Sequence, residues 1–362
     1  MAATVRVGVI GAGFVTELHL EAFARVRNAE VVAIAGRQGS QRPAELAHRF
    51  GIANVAPSWE ALLERDDVDV VTIAVPNDLH MPICVAAAGR GKHVIVEKPL
   101  CRTLDEADAM IAACRAAGVK LMYAETLVFT PKYERARQLA EEGALGDVYL
   151  IKQLEKHSGP HAAWFWDVRR SGGGVLMDMG CHGLEWFRHV LGKPAVKTVQ
   201  ATLNTFVHGA RTAAEDHAIV VVTFANGVVG LNETSWVQAG GMQDHAEIYG
   251  TRGVTYADLL LGSSLTTYSE DGYGYAVEKA AGTRGWTFTM YDEMWHYGFA
   301  HEMQHFVDCV AHDSQPRETG EDGRAVLEMI YAGYESARTG QAVELPFYRK
   351  VAQPVDLWRA PA

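Results

Sequence analysis

Lys98 stands between an acid and a proline, in the stretch HVIVEKPL, where a strand-like apolar run stops. An amine placed there cannot belong to a core, and the proline fixes the backbone beside it. Partly desolvated near another positive charge, such a lysine has a lowered pKa and can relay a proton from an alcohol. Paired with Glu97 or another carboxylate, it would be structural instead. A second constellation is GGGVLMDMGCHGLEWF, residues 172–187. Asp178 and His182 are four apart, so a helix would put them on one face. A histidine can abstract a hydroxyl proton, and a nearby carboxylate can orient it or bind a second hydroxyl. The glycines before them let a ligand or another backbone come close. A helix-start aspartate with a satisfied core histidine is the structural alternative. His157, His161, Cys181 and His182 are also neighbours in sequence, but their spacing fits no zinc pattern, and no metal is expected.

Elements must hold these residues in place. In the first third, the runs VRVGVIG, EVVAIAG, VDVVTIAV, HVIVEK and KLMYAE alternate with helical stretches. That alternation predicts a doubly wound parallel sheet, with ligands beyond the carboxyl ends of the strands. The first strand runs into Gly11-Ala12-Gly13 and then a helix. Gly11 permits a tight turn, and Gly13 lets the backbone approach a pyrophosphate at the helix N-terminus. The cofactor-binding candidates in this turn are Gly11, Gly13 and Phe14; Thr16 replaces the usual third glycine. An ordinary strand-to-helix turn is the plain alternative. The second strand ends at Gly36-Arg37, with no acid to bind a ribose 2′-hydroxyl. Arg37, with Arg42 nearby, can accept a 2′-phosphate, so the reading leans to NADP over NAD.

After residue 125 the pattern changes to α+β, with longer strands and Asn226-Gly227 as a hairpin signal. The expected division is a dinucleotide-binding domain over 1–125 and a substrate-binding and oligomerisation domain over 126–362. The 362 residues carry a formal charge of −11. No basic block accompanies it, which argues against nucleic acid or an anionic membrane as partner. No signal peptide or spanning segment is expected, and the five cysteines are scattered. Reduced thiols in a cytoplasm are expected.

Taken together, VGVIGAGFVTELH, AVPNDLH, VEKPL, GGGVLMDMGCH and the ending ETGEDGRAVLEMIYAGYESARTGQAVELP resemble the glucose–fructose oxidoreductase/inositol dehydrogenase (Gfo/Idh/MocA) family. The resemblance implies an N-terminal Rossmann domain, a C-terminal α+β domain with an open, mostly antiparallel sheet, a site between them, and a homodimer or homotetramer. It implies that Lys98, Asp178 and His182 are catalytic, the lysine and histidine for proton transfer and the aspartate in support. Pro76, Asn77, His80 and Glu97 match cofactor-contacting positions, and the Lys98–Pro99 peptide is often cis in relatives. Thr126 departs from the family's usual asparagine.

The implied substrates are sugars, inositols and their derivatives. The loop before the catalytic segment offers His157, Trp164, Trp166 and Arg169, which suit a ring apolar on its faces and polar on its rim. Tyr291, His296 and Tyr297 are further candidates. No phosphate- or carboxylate-binding cluster stands out, which favours a neutral sugar, glycoside or cyclitol. The expected activity is NAD(P)-dependent oxidation of a secondary hydroxyl to a ketone. Alternatives are a glycosidase or glycoside-modifying enzyme that recycles a tightly bound NAD(H) through a keto-sugar, and a non-catalytic dinucleotide sensor.

Overall fold

Strands buried on both faces are built from β-branched residues, and the first third of the chain supplies them. The computed structural model describes residues 4–260, 264–270, 284–290 and 293–359. Two compact units result, Met1–Thr126 with Gly298–Ala325, and Leu127–Tyr297 with Val326–Ala362. In the first unit, six parallel strands are β1 Val5–Ile10, β2 Ala29–Ala35, β3 Asn54–Ala56, β4 Val70–Ile73, β5 His93–Glu97 and β6 Leu121–Ala124. Their order, β3-β2-β1-β4-β5-β6, is that of a Rossmann sheet. Helices α1 Phe14–Phe23, α2 Arg42–Phe50, α3 Trp59–Leu63, α4 His80–Gly89 and α5 Leu104–Ala117 connect successive strands. Val7, Val9, Ile34, Val71, Ile95 and Val96 are fully buried.

The sequence places one cut at 125/126, whereas Gly298–Ala325 groups with the first unit. The helix Phe299–Ala311 packs on α1. There the rings of His19 and Phe299 lie 6.2 Å apart, and the Arg27 N–H donates to Gln304 Oε1 at 2.9 Å.

The second unit is built on a seven-stranded sheet in the order β12-β11-β7-β10-β9-β8-β15. Its strands are β7 Val148–Lys156, β8 Val196–Asn204, β9 His217–Phe224, β10 Val229–Ser235, β11 Gln243–Gly250, β12 Gly253–Asp258 and β15 Val343–Glu344; β13 Ser264–Ser269 and β14 Gly285–Met290 pair separately. Only β7 and β10 run parallel; every other neighbouring pair in this sheet is antiparallel. Asn226-Gly227 joins β9 to β10, with Gly227 at φ +86°. The run AEIYGTRGVTYAD lies in two strands, β11 and β12, because the chain turns at Thr251-Arg252 and pairs with itself. Helix α6 Pro131–Glu141, the single turn α7 Val168–Ser171, helix α8 Cys181–Val190 and the Val326–Thr339 part of the long helix Gly320–Thr339 belong to the same unit. Helix α8 lies close on β10: a Cβ on Gly230 would stand 2.5 Å from the Phe187 ring. Among the described residues, no helix is long and apolar enough to cross a membrane.

Candidate active site

In the first unit, the glycine turn follows β1. Gly11 has φ +134°, and a Cβ there would lie 2.1 Å from the Ala74 carbonyl oxygen. Gly13 precedes α1, and nothing stands within 4 Å of where its Cβ would be. The backbone there is open at the N-terminus of a ten-residue helix, as a pyrophosphate requires. Thr16, the departure from a third glycine, is fully buried. Its hydroxyl accepts from Gly13 N–H at 3.2 Å and reaches the Ala74 carbonyl at 3.4 Å, so it braces the turn from inside.

Gly36 follows the second strand, and a Cβ there would stand 2.5 Å from the Pro43 ring. That contact explains why no acid occupies the position. Arg37 is exposed and makes no ion pair among the described residues. Arg42, the neighbour considered for a 2′-phosphate, is already paired with Glu17 and with Glu45.

Lys98 follows β5, half-buried, with a cis bond to Pro99. Its amide N–H donates to Glu97 Oε2 at 3.0 Å. Burial pushes the Glu97 carboxyl up, but the His19 hydrogen bond and the Lys98 charge outweigh it and hold Glu97 below its usual range. His19 Nε2 lies 2.8 Å from Glu97 Oε1, and its Nδ1 lies 2.8 Å from Thr72 Oγ1. His19 escaped the sequence reading. The 16, 19/20, 23 spacing in α1 marks its core stripe, and a histidine on such a stripe needs buried partners.

His80 is buried, with Nε2 2.9 Å from the Val75 carbonyl and Nδ1 3.1 Å from that of Pro99. Desolvation lowers its pKa. Both ring nitrogens therefore face the chain itself, tying the loop after β4 to the Lys98–Pro99 turn. Asn77 is buried beside Pro76 in the same loop. Glu302 is fully buried and accepts from Thr126 Oγ1 at 3.1 Å. Burial, reinforced by the Glu97 and Glu125 charges, pushes its carboxyl well up and favours the neutral acid.

In the second unit, Asp178 and His182 are 7 % and 9 % exposed. They do not share one regular α-helix: Leu176–Gly180 is π-helical and runs into α8. Such turns are frequent at functional sites. Asp178 Oδ2 accepts from Trp236 Nε1 at 3.1 Å. The glycine run is filled by the chain. A Cβ on Gly174 would stand 1.9 Å from the Glu215 carbonyl oxygen, and one on Gly173 would stand 2.1 Å from the Tyr334 hydroxyl. Glu215 Oε1 accepts from Leu176 N–H and from the Tyr334 hydroxyl, each at 2.9 Å. Burial raises the Glu215 carboxyl to about 7. Gly174→Ala should therefore displace the backbone that carries Asp178 and destabilise the protein by about 1–3 kcal/mol. Thermal unfolding checks this, and an unchanged midpoint would contradict the packing.

Trp236 is fully buried, and its ring is met edge-on by Phe165 at 6.5 Å and by Trp166 at 5.4 Å. Trp166 also carries the Arg211 guanidinium 4.1 Å from its ring centre. Trp164 stacks on Phe165 at 3.8 Å. His157 is buried and accepts from Gly159 N–H at 3.3 Å. The Tyr297 hydroxyl reaches Met242 Sδ at 3.5 Å, beside the start of β11. Arg169 is 78 % exposed and paired with Asp167 at 2.8 Å, on the surface of its loop. His296 lies in a short helix, Glu293–Tyr297, and Tyr291 lies outside the described residues.

The inward face of the second sheet is apolar at one end, with Ile151, Val222 and Ile248, and polar at the other, with Gln153, Glu155, Asn232, Thr234 and Asp244. Trp236 and Asp244 are the functional candidates that the sequence did not reveal.

Comparison with known proteins agrees with this architecture. A family model described as an oxidoreductase family with an NAD-binding Rossmann fold matches residues 5–125, and one for the GFO/IDH/MocA C-terminal domain matches 133–256. Myo-inositol 2-dehydrogenase of Thermotoga maritima is 26 % identical over 342 residues, covering 94 % of this chain and 98 % of that protein. D-xylose 1-dehydrogenase (NADP(+)) 2 of Haloferax volcanii is 33 % identical, covering 87 % of this chain and 92 % of that protein. The crystal structure of GenD2 from gentamicin A biosynthesis, in complex with NAD, superposes with a TM-score of 0.90 at 32 % identity, over 96 % of this chain and 98 % of that one.

Proposed function

We propose a reaction for this chain from the fact that it belongs to the GFO/IDH/MocA oxidoreductase family: it oxidises a secondary hydroxyl of a sugar, glycoside or cyclitol to a ketone. A nicotinamide cofactor, when bound, would supply the hydride acceptor. His182 takes the hydroxyl proton, Lys98 is the second proton-transfer group, and Asp178 supports the imidazole. Gly11, Gly13 and Phe14 hold the cofactor's phosphates, while Pro76, Asn77, Glu97 and Lys98 shape the nicotinamide end. His80 serves that end indirectly, by bracing the turn. His157, Trp164, Trp166 and Tyr297 are the substrate-facing candidates.

The observation that carries the reading is the buried polar end of the second sheet, where hydrogen-bonding side chains surround the segment of Asp178 and His182. Arg188, the buried arginine of that unit among the described residues, is paired with Glu185. The rest of that polar end is acids, amides and a threonine, which suit the hydroxyls of a neutral carbohydrate. The relatives named above include two dehydrogenases, which favours net oxidation over a recycled cofactor. Five buried free cysteines fit a reducing cytoplasm, and an open sheet fits a homo-oligomer.

NADP is the preferred cofactor in this reading, because Arg37 is exposed and Gly36 leaves no acid to oppose a 2′-phosphate. Arg37→Ala is expected to weaken NADP about tenfold, the loss of one charge-assisted contact, and to leave NAD within about twofold. Fluorescence titration of the two cofactors checks this. Equal affinities of the unaltered protein for NAD and NADP would remove the preference.

A further inference from the structure

Alternation along β7, β10 and β11 turns Gln153, Asn232 and Asp244 inward, and the strand registers set Asn232 opposite Gln153 and Asp244 opposite Glu155. The three side chains form a directed chain of hydrogen bonds. Asn232 Nδ2 donates to Gln153 Oε1 at 2.7 Å, which turns Gln153 Nε2 toward Asp244 Oδ1 at 3.4 Å. The Tyr133 hydroxyl, on α6, donates to the same Asp244 oxygen. Helix α8 rests on this chain immediately after His182: a Cβ on Gly183 would stand 2.1 Å from Asn232 Nδ2 and 2.5 Å from Gln153 Oε1. Asp244 itself is 1 % exposed, and its Oδ2 has no hydrogen-bond partner among the described residues.

An ionised carboxylate buried with one oxygen unsatisfied is costly unless a positive charge faces it. Among the described residues, the groups that act on Asp244 include Tyr133 from α6, Gln153 from β7, His182 from α8 and Asp258 from β12, with Glu155 alongside on β7. Of these only the histidine can supply that charge. Burial raises the Asp244 carboxyl to about 6, although the Tyr133 bond and the His182 charge oppose the rise. Asp178 is differently placed, since its Oδ2 already takes the Trp236 indole N–H.

We infer that Asp244 is a positioning residue for His182: held by Tyr133 and Gln153 under α8, its carboxylate stabilises the imidazolium formed when His182 takes a proton. The inference rests on the proposed role of His182, so its test is read on the imidazole itself as well as on turnover. The full chain is labelled with 13C at histidine Cε1, and His182→Asn assigns the resonance. Asp244→Asn should lower the His182 titration midpoint by about one unit, the size of a lost neighbouring charge. The acid limb of kcat/KM moves to lower pH with it, and kcat falls about tenfold with KM within about threefold. Tyr133→Phe should shift the midpoint in the same direction by less, because it only weakens the ionised carboxylate; it decides the matter if Asp244→Asn does not fold. A midpoint unmoved in a folded variant overturns the inference, even if His182→Asn is inactive. A shifted midpoint with normal turnover in His182→Asn upholds the Asp244–His182 link and overturns the catalytic reading instead.

Discussion

Lys98→Ala is expected to lower turnover by about 10³-fold, the middle of what one positioned proton-transfer group contributes. The Kd of the cofactor should stay within about threefold, since the glycine turn and α1 are untouched. The lysine stands where the backbone is held by other groups. It is half-buried at the end of β5, and the turn around it is fixed independently. Glu97 is held by His19, and the Pro99 carbonyl lies by His80, so removing the amine leaves the backbone tied. Steady-state kinetics with a cofactor titration separate the two effects. Near-normal turnover would remove Lys98 from the mechanism.

His182→Ala should cost turnover to a similar extent, about 10²–10⁴-fold, with the thermal midpoint little changed. Helix α8 is anchored by other residues: Trp186 and Phe187 are fully buried, and Glu185 holds Arg188. An imidazole that only filled space would show the reverse pattern, a fall in stability with kcat kept. Kinetics, thermal unfolding and metal analysis of the variant distinguish these results. Unfolding with the loss of a stoichiometric metal would show that the proton-transfer role is wrong.

Much of this architecture can be read along the chain, because its signals are local. The runs VRVGVIG, HVIVEK and HAIVVVTF are strands, and Asn226-Gly227 turns the hairpin it predicts. Three-residue β3 carries too little pattern to be seen. The π-helical turn at Leu176–Gly180 shifts the periodicity by one residue, so a four-residue spacing did not disclose how Asp178 and His182 are set. The glycines before them leave room, but what fills it, Glu215 and Tyr334, comes from distant segments. Trp236 and Asp244 emerge only from strand register, which no local window contains. The same holds for Gly36, whose contact with Pro43 shows why the usual acid is missing.

The most direct test is absorbance at the reduced-nicotinamide band while a panel of neutral sugars, glycosides and cyclitols is added to the protein with NAD or NADP, with products identified by mass spectrometry. Reduced cofactor should accumulate one-for-one with a ketone two hydrogens lighter than its substrate. A product that forms while absorbance stays flat and the cofactor stays bound would contradict this, and would turn the chemistry to a recycled cofactor.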